Sequence, residues 1–303
     1  MGFKVLILGS GSALPTNLRN PTSQYVFCNN RHILIDCAEG TQMQLRKHKV
    51  QLQRIDIVLI SHLHGDHYFG LVGLLSTMNL LGRDRKLMIF APAFLESILK
   101  MQIEMDGFKL GFEIEFIALN GDVSKEIYND DVISINVFPL NHGIPTNGYV
   151  IEECPKKLKI NKFKFELDQV PIPAAQLFKD SKDYTDMNGT FYNHQEYTSP
   201  ADRSLKYAFC SDTKYDEAII PHILNSDLLY HEATFTKEMQ DRAKKTHHST
   251  AEQAATIALK ANVKKLILGH LSARYKGITD HLNEAKAVFE NTYVVNDGDE
   301  INV

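Results

Sequence analysis

The 303-residue chain contains no tryptophan, and its four cysteines, Cys28, Cys37, Cys154 and Cys210, never fall in a C-x-x-C pair. That spacing argues against both a disulfide framework and a zinc ribbon. Long apolar runs are missing as well. None approaches the ~18 residues of a membrane span, and the start, Met1-Gly2-Phe3-Lys4-Val5, lacks the cationic segment and apolar stretch of a secretory signal. Gly2 opens no myristoylation motif, because position 6 is Leu6 rather than Ser or Thr. Nor is there a basic surplus: 33 Lys and Arg stand against 37 Asp and Glu, a formal net charge of −4. The composition therefore does not announce a nucleic-acid binder, although a local basic patch suffices and a bound divalent metal adds positive charge at its site. These absences lead us to expect a soluble cytoplasmic protein in a reducing compartment, with no membrane partner.

Hydrophobic residues make up 44% of the chain, enough for a sizeable core. Short apolar runs at Phe3 to Leu8, His32 to Asp36, Ile55 to Ile60, Leu87 to Phe90, Glu113 to Ala118, Ile133 to Pro139, Asn147 to Glu152, Tyr207 to Cys210, Leu228 to Tyr230 and Leu266 to Leu268 read as strands. Helical patterns fall at Glu39 to Lys47, Gly70 to Leu81 and Ala93 to Met101. Another follows Ser249, where Ser249 and Glu252 read as a capping box and Ala254, Ile257, Ala258 and Ala261 mark one apolar face. Gly9-Ser10-Gly11-Ser12 is not a dinucleotide fingerprint, since Leu14 stands where the third glycine belongs and Pro15 follows. The pattern predicts an α/β architecture of sheets covered by helices. Asp36, His62, His142, Asp212, His231 and His270 each follow a short strand, so they converge at one rim of the sheets.

The densest chemistry lies in Ser61-His62-Leu63-His64-Gly65-Asp66-His67. His62 and His64 can reach one ion from a tight loop, and Gly65 permits the turn that brings up Asp66 and His67. Together they offer more ligands than one tetrahedral zinc needs, which points to two adjacent metals. Such a pair suits hydrolysis of phosphate esters.

This turn resembles the signature of the metallo-β-lactamase superfamily. The resemblance narrows to the ribonuclease Z family of tRNA 3′-processing endonucleases through Leu6-Ile7-Leu8-Gly9-Ser10-Gly11-Ser12-Ala13-Leu14-Pro15-Thr16 with Arg19-Asn20, His231-Glu232-Ala233-Thr234-Phe235, and His248-Ser249-Thr250. It covers nearly the whole chain in the same order. It implies a four-layer αββα fold in a single domain over residues 1–303, with an inserted protruding arm at 153–204. It also implies two Zn2+ per chain, with Mn2+ or Fe2+ able to use the same ligands. His62, His64 and His142 would bind one ion, Asp66, His67 and His270 the other, and Asp212 would bridge them. Asp66 would act as general base. His248 would protonate the leaving 3′ oxygen, positioned by Glu232, with the adjacent His247 as the alternative donor. From its place at a strand end, and apart from the resemblance, Asp36 reads either as a hydrogen-bond partner of a ligand histidine or as a purely structural aspartate.

The implied substrate is precursor tRNA, and the implied assembly is a homodimer. Phosphate contacts must supply most of the binding. Arg19 is the candidate near the 3′ end, and Lys159, Lys162 and Lys164 in the arm are candidates at a distance. The arm departs from the family pattern: where a Gly-Pro element is usual, this chain reads Ile172-Pro173-Ala174-Ala175-Gln176-Leu177-Phe178.

Overall fold

The computed structural model describes residues 2–103 and 109–303. These fall into two compact units, one reaching Glu152 and resuming at Leu205, the other spanning Glu153–Ser204.

The larger unit is built on two seven-stranded sheets. The first runs in the spatial order Glu300–Asn302, Phe3–Gly9, Ser23–Cys28, Arg31–Ile35, Ile57–Leu59, Leu87–Pro92 and Ile114–Leu119. The second runs Thr292–Val294, Leu266–Gly269, Leu228–Glu232, Lys206–Cys210, Thr146–Glu153, Ile133–Leu140 and Lys125–Asn129. Side-chain alternation along the strands assigns each face. Val5 and Ile7 join Ile33, Ile35, Tyr149, Tyr207, Phe209 and Tyr230 in the core between the sheets. Leu6 and Leu8 turn to the other side, against Leu45, Leu71, Leu74, Leu75 and Met78 of the helices Thr41–Lys47 and Leu71–Leu80. A third cluster packs Ala251, Ala254, Ala255, Ile257 and Ala258 of the helix Ala251–Lys260 on the outside of the second sheet. The period-2 pattern thus gives helix, sheet, sheet, helix.

Five strand ends matter for function. Arg31–Ile35, Ile57–Leu59 and Leu87–Pro92 are parallel neighbours, as are Lys206–Cys210, Leu228–Glu232 and Leu266–Gly269. Parallel strands finish on the same side, so Asp36, Ser61-His62, Asp212, Glu232 and His270 emerge together. Asp36 and His270 leave their strands in the left-handed region, at φ 56° and φ 58°, an uncommon conformation for non-glycine residues.

The expected capping box is displaced by one residue. Thr250 caps the helix and Gln253 closes the box, because the Ser249 hydroxyl instead donates to the Thr213 carbonyl at 2.7 Å. The edge strands Thr292–Val294 and Glu300–Asn302 and the strand Ser23–Cys28 have weak sequence signals and were not anticipated.

The smaller unit has helices Lys162–Leu167, Ala174–Lys179 and His194–Tyr197, and two short antiparallel pairings, Lys159–Ile160 with Thr198–Ser199 and Tyr184–Thr185 with Phe191–Tyr192. Its own core gathers Val170, Ala174, Phe178 and Tyr197, with the rings of Phe178 and Tyr197 stacked at 5.5 Å. Among the described residues, no helix is long and apolar enough to cross a membrane.

Candidate active site

The seven residues singled out as metal ligands meet at the strand ends. His62 Nε2 and His64 Nδ1 face each other at 3.0 Å, and His142 Nε2 lies 3.3 Å from His64 Nδ1. With Asp212 they form one group able to hold a cation. Asp66, His67 and His270 form a second, with Asp66 Oδ2 3.5 Å from His67 Nε2 and 3.6 Å from His270 Nε2. Asp212 touches both groups: its Oδ2 is 3.6 Å from His62 Nε2 and 3.5 Å from His67 Nε2, and its Oδ1 is 3.2 Å from His270 Nε2.

These spacings test whether a divalent metal fits. Zinc bonds of about 2.1 Å at tetrahedral angles set neighbouring ligand atoms about 3.4 Å apart, close to the distances found. His67 Nε2, His270 Nε2 and Asp212 Oδ1 are buried and have no hydrogen-bond partner among the described residues. Buried polar atoms are rarely left so, and a cation between them satisfies all three.

The histidines are aimed from behind. His67 Nδ1–H donates to Asp36 Oδ2 at 2.7 Å, while the other Asp36 oxygen accepts the Ser61 N–H at 2.8 Å. His142 Nδ1–H donates to the His247 carbonyl at 2.8 Å. His270 Nδ1 lies 2.9 Å from the Thr234 hydroxyl, which itself donates to Glu232 Oε2. Each of these contacts places the ring proton on Nδ1 and turns the Nε2 lone pair inward. Burial penalises both carboxylates, yet the surrounding imidazoles hold Asp66 and Asp212 well below the usual carboxylate range.

Glu232 is fully buried and saturated. Oε1 accepts from Thr213 N, Ser249 N and His248 Nδ1, and Oε2 from Thr234 N and the Thr234 hydroxyl. Burial opposes protonation of His248, but Glu232 overrides it and pushes the imidazole up to about 9. The ring of His248 stacks on that of His270 at 5.4 Å. The neighbouring His247 sits at φ 56° and contributes its carbonyl to His142. His231, although part of the same His-Glu-Ala-Thr segment, is turned back onto the Glu232 carbonyl and lies outside the groups that could hold a metal.

Over these groups opens a cleft of about 450 Å³, whose wall includes Ser12, Ala13, Phe235, Arg242, His248 and Arg274. Arg242 and Arg274 were not anticipated. Arg242 is one cation among several on a short polar helix, and nothing in its spacing separates it from Lys244 or Lys245.

Arg19 stands outside the cleft wall. Its guanidinium is turned inward, donating to the Ser10 hydroxyl at 2.6 Å, the Val295 carbonyl at 2.8 Å and Asn296 Oδ1 at 2.8 Å. It ties down the 10–20 loop and does not line the cleft. Asp297 completes the anchorage, accepting from Ser10 and Asn20. In the arm unit, Lys159 pairs with Asp202 at 2.5 Å and Lys164 with Glu196 at 3.3 Å; Lys162 has no ion pair among the described residues.

The comparisons with known proteins decide the family. The chain is 39% identical over 295 residues to ribonuclease Z of Porphyromonas gingivalis, covering 97% of each protein. It is 42% identical over 299 residues to ribonuclease Z of Cytophaga hutchinsonii, covering 98% of this chain and 95% of that relative.

The chain belongs to the ribonuclease Z family.

Its metallo-β-lactamase fold is shared with the short form of human tRNase Z, at a TM-score of 0.71 and 24% identity over 99% of both chains. The fold protein YhfI of Bacillus subtilis superposes at 0.70 with 18% identity over the full length of both. A family model described as anti-Pycsar protein Apyc1 matches residues 3–114, the part that carries the histidine turn. Family membership together with the histidine and aspartate cluster implies use of a divalent metal.

Proposed function

We propose that this chain is the endonuclease that removes the 3′ trailer from precursor tRNA. Near-full-length identity to ribonuclease Z proteins carries the reading. The complete cluster of inward-facing nitrogens and carboxylates supports it.

His62, His64 and His142 would hold one zinc ion and Asp66, His67 and His270 a second, with Asp212 shared between them. Two such ions would polarise the attacking water and neutralise charge gathering on the phosphate. Asp66, on the cleft wall, accepts a proton from that water as general base. Water oxygen attacks phosphorus, and the bond to the tRNA 3′ oxygen breaks. His248, held protonated by Glu232, donates its proton to the departing oxygen. The tRNA then ends in a 3′-hydroxyl and the trailer begins with a 5′-phosphate. Arg242 and Arg274, exposed on the cleft wall, contact phosphates flanking the scissile bond, the role that sequence reading gave to Arg19.

Residues 153–204 form the substrate-binding arm within a single domain of the metallo-β-lactamase type. Lys159, Lys162 and Lys164 bind the body of the tRNA. The ion pairs of Lys159 and Lys164 join exposed groups and contribute little, so their carboxylates are readily exchanged for phosphates. The protein acts as a homodimer in the cytoplasm, as the family resemblance implies. Another two-metal phosphodiesterase would share the histidine turn, but not near-full-length identity to ribonuclease Z.

The test is cleavage of a precursor tRNA carrying a 3′ trailer, with both new ends mapped. A single cut leaving a 3′-hydroxyl on the tRNA is expected. Hydrolysis of small phosphodiesters without tRNA cleavage would refute the assignment.

A further inference from the structure

The larger unit carries a second pocket, of about 380 Å³, at the opposite ends of the strands from the metal cluster. His32 lies near the start of Arg31–Ile35, whose far end leads to Asp36. The floor is the outward face of the first sheet, with Tyr25 and Phe27 half-buried. The segment after the helix Thr41–Lys47 covers it with His48 and Lys49, and Arg54 closes one side.

Three observations point to a ligand. First, His32 is only 8% exposed, and its Nε2 has no hydrogen-bond partner among the described residues. Its Nδ1 meets the Tyr25 hydroxyl. Burial pushes that phenol up to about 12 against the opposing charge of Arg54, so the phenol is protonated and donates to Nδ1. The imidazole proton then sits on Nε2, a buried donor with no acceptor among the described residues. Second, His48 Nε2 is likewise buried without a partner. Third, the charge is unbalanced. Lys4 is matched by Glu300 at 2.6 Å, whereas Lys49 and Arg54 form no ion pair among the described residues. Two free cations and a buried N–H match a phosphate dianion. The rings of Tyr25 and Phe27 offer flat apolar surface, and the volume falls within the usual range for small-molecule sites, about 300–1,000 Å³.

We propose that this pocket binds a nucleoside monophosphate, with its phosphate held by Lys49, Arg54 and His32 and its base against Tyr25 and Phe27. The site is separate from the hydrolytic cleft and does not depend on the function proposed for it.

Because the chain has no tryptophan, Phe27→Trp places its sole indole in this pocket, where binding at the metal cluster is silent. The metal-loaded full chain carrying this change is titrated with adenosine monophosphate, adenosine and inorganic phosphate. A saturable fluorescence change with the monophosphate is expected, weakened at least about tenfold when Lys49→Ala and Arg54→Ala are added, and weaker for adenosine or phosphate alone. No saturable change, or one that survives the double substitution, overturns the proposal; so does inorganic phosphate binding as tightly as the nucleotide. Should Phe27→Trp not fold, the ring resonances of His32 in the wild-type chain give the same readout, moving with the nucleotide if the proposal holds and staying fixed if it does not.

Discussion

Glu232 Oε1 stands 2.9 Å from His248 Nδ1, with both groups withdrawn from bulk water. The pair is set by chain segments 16 residues apart, one at a strand end and one just before a helix. Because Glu232 is already saturated by backbone N–H groups, it cannot swing away, and His248 is held at the cleft wall.

From this follows a contrast between the adjacent histidines. His248→Ala should lower kcat for precursor tRNA cleavage about 10²–10⁴-fold, with metal content unchanged. His247→Asn should stay within a few fold of wild type, because the backbone carbonyl that binds His142 remains and Asn tolerates the left-handed conformation. Single-turnover cleavage with metal analysis checks both. Equal losses in the two variants would reject His248 as the proton donor.

Glu232→Gln tests the carboxylate itself. Whichever way the amide turns, its NH2 faces N–H or O–H groups that now donate to Glu232. Leaving a buried donor unpaired costs about 1–3 kcal/mol, so the urea midpoint should fall along with kcat. A variant as stable as wild type would show that the buried network is not as described.

Asp36→Asn addresses the support of His67. Asn is suited to the left-handed φ of 56°, so the backbone is retained, while the charged acceptor for His67 Nδ1–H is lost. Metal affinity should drop about 10–100-fold, measured as metal retained after dialysis against a graded chelator. Unchanged retention would remove Asp36 from the site.

Gly70 is a packing test. A Cβ there would lie 2.0 Å from the Ala38 carbonyl oxygen, and that backbone is tied to the turn because Cys37 N–H donates to the His67 carbonyl. Gly70→Ala should destabilise by at least about 1–3 kcal/mol and loosen metal binding with it. Thermal unfolding at fixed metal concentration reads the first effect.

His281 gives the pH dependence. Burial lowers its pKa to about 4, although Asp280 opposes, so the folded state keeps it neutral. Stability is complete above the unfolded value near 6.5 and declines as pH falls from there toward 4, by about 3 kcal/mol in all. Loss of metal ligation at acid pH affects wild type and variant alike. The difference between wild type and His281→Asn in urea midpoints at pH 7.5 and 4.5 therefore isolates this group. A difference independent of pH would contradict it.

The candidate metal cluster was legible because its signals are local: an apolar strand followed by polar residues at fixed offsets. His62 to His67 needed only their own spacing. His142, Asp212 and His270 needed their order along the chain. The side-chain partners were not legible in the same way. Arg19 reads as an exposed loop cation until Val295 and Asn296, more than 270 residues away, are seen to receive it. Ser249 and Thr250 are both hydroxyls ahead of a helix, and only the Thr213 carbonyl shows which is free to cap. Arg242 gains meaning from a cleft that exists only once the two sheets are stacked.

The anchorage of the 10–20 loop also fixes an order in time. Arg19 and Asn20 leave the ribosome early, and the residues that fasten them, Val295 to Asp297, emerge some 276 positions later. Asp212 and His270 are late as well. A half-made chain therefore carries the histidine turn and His142 without Asp212, His270 or a fastened loop, so the cluster of ligand groups is completed only late in synthesis.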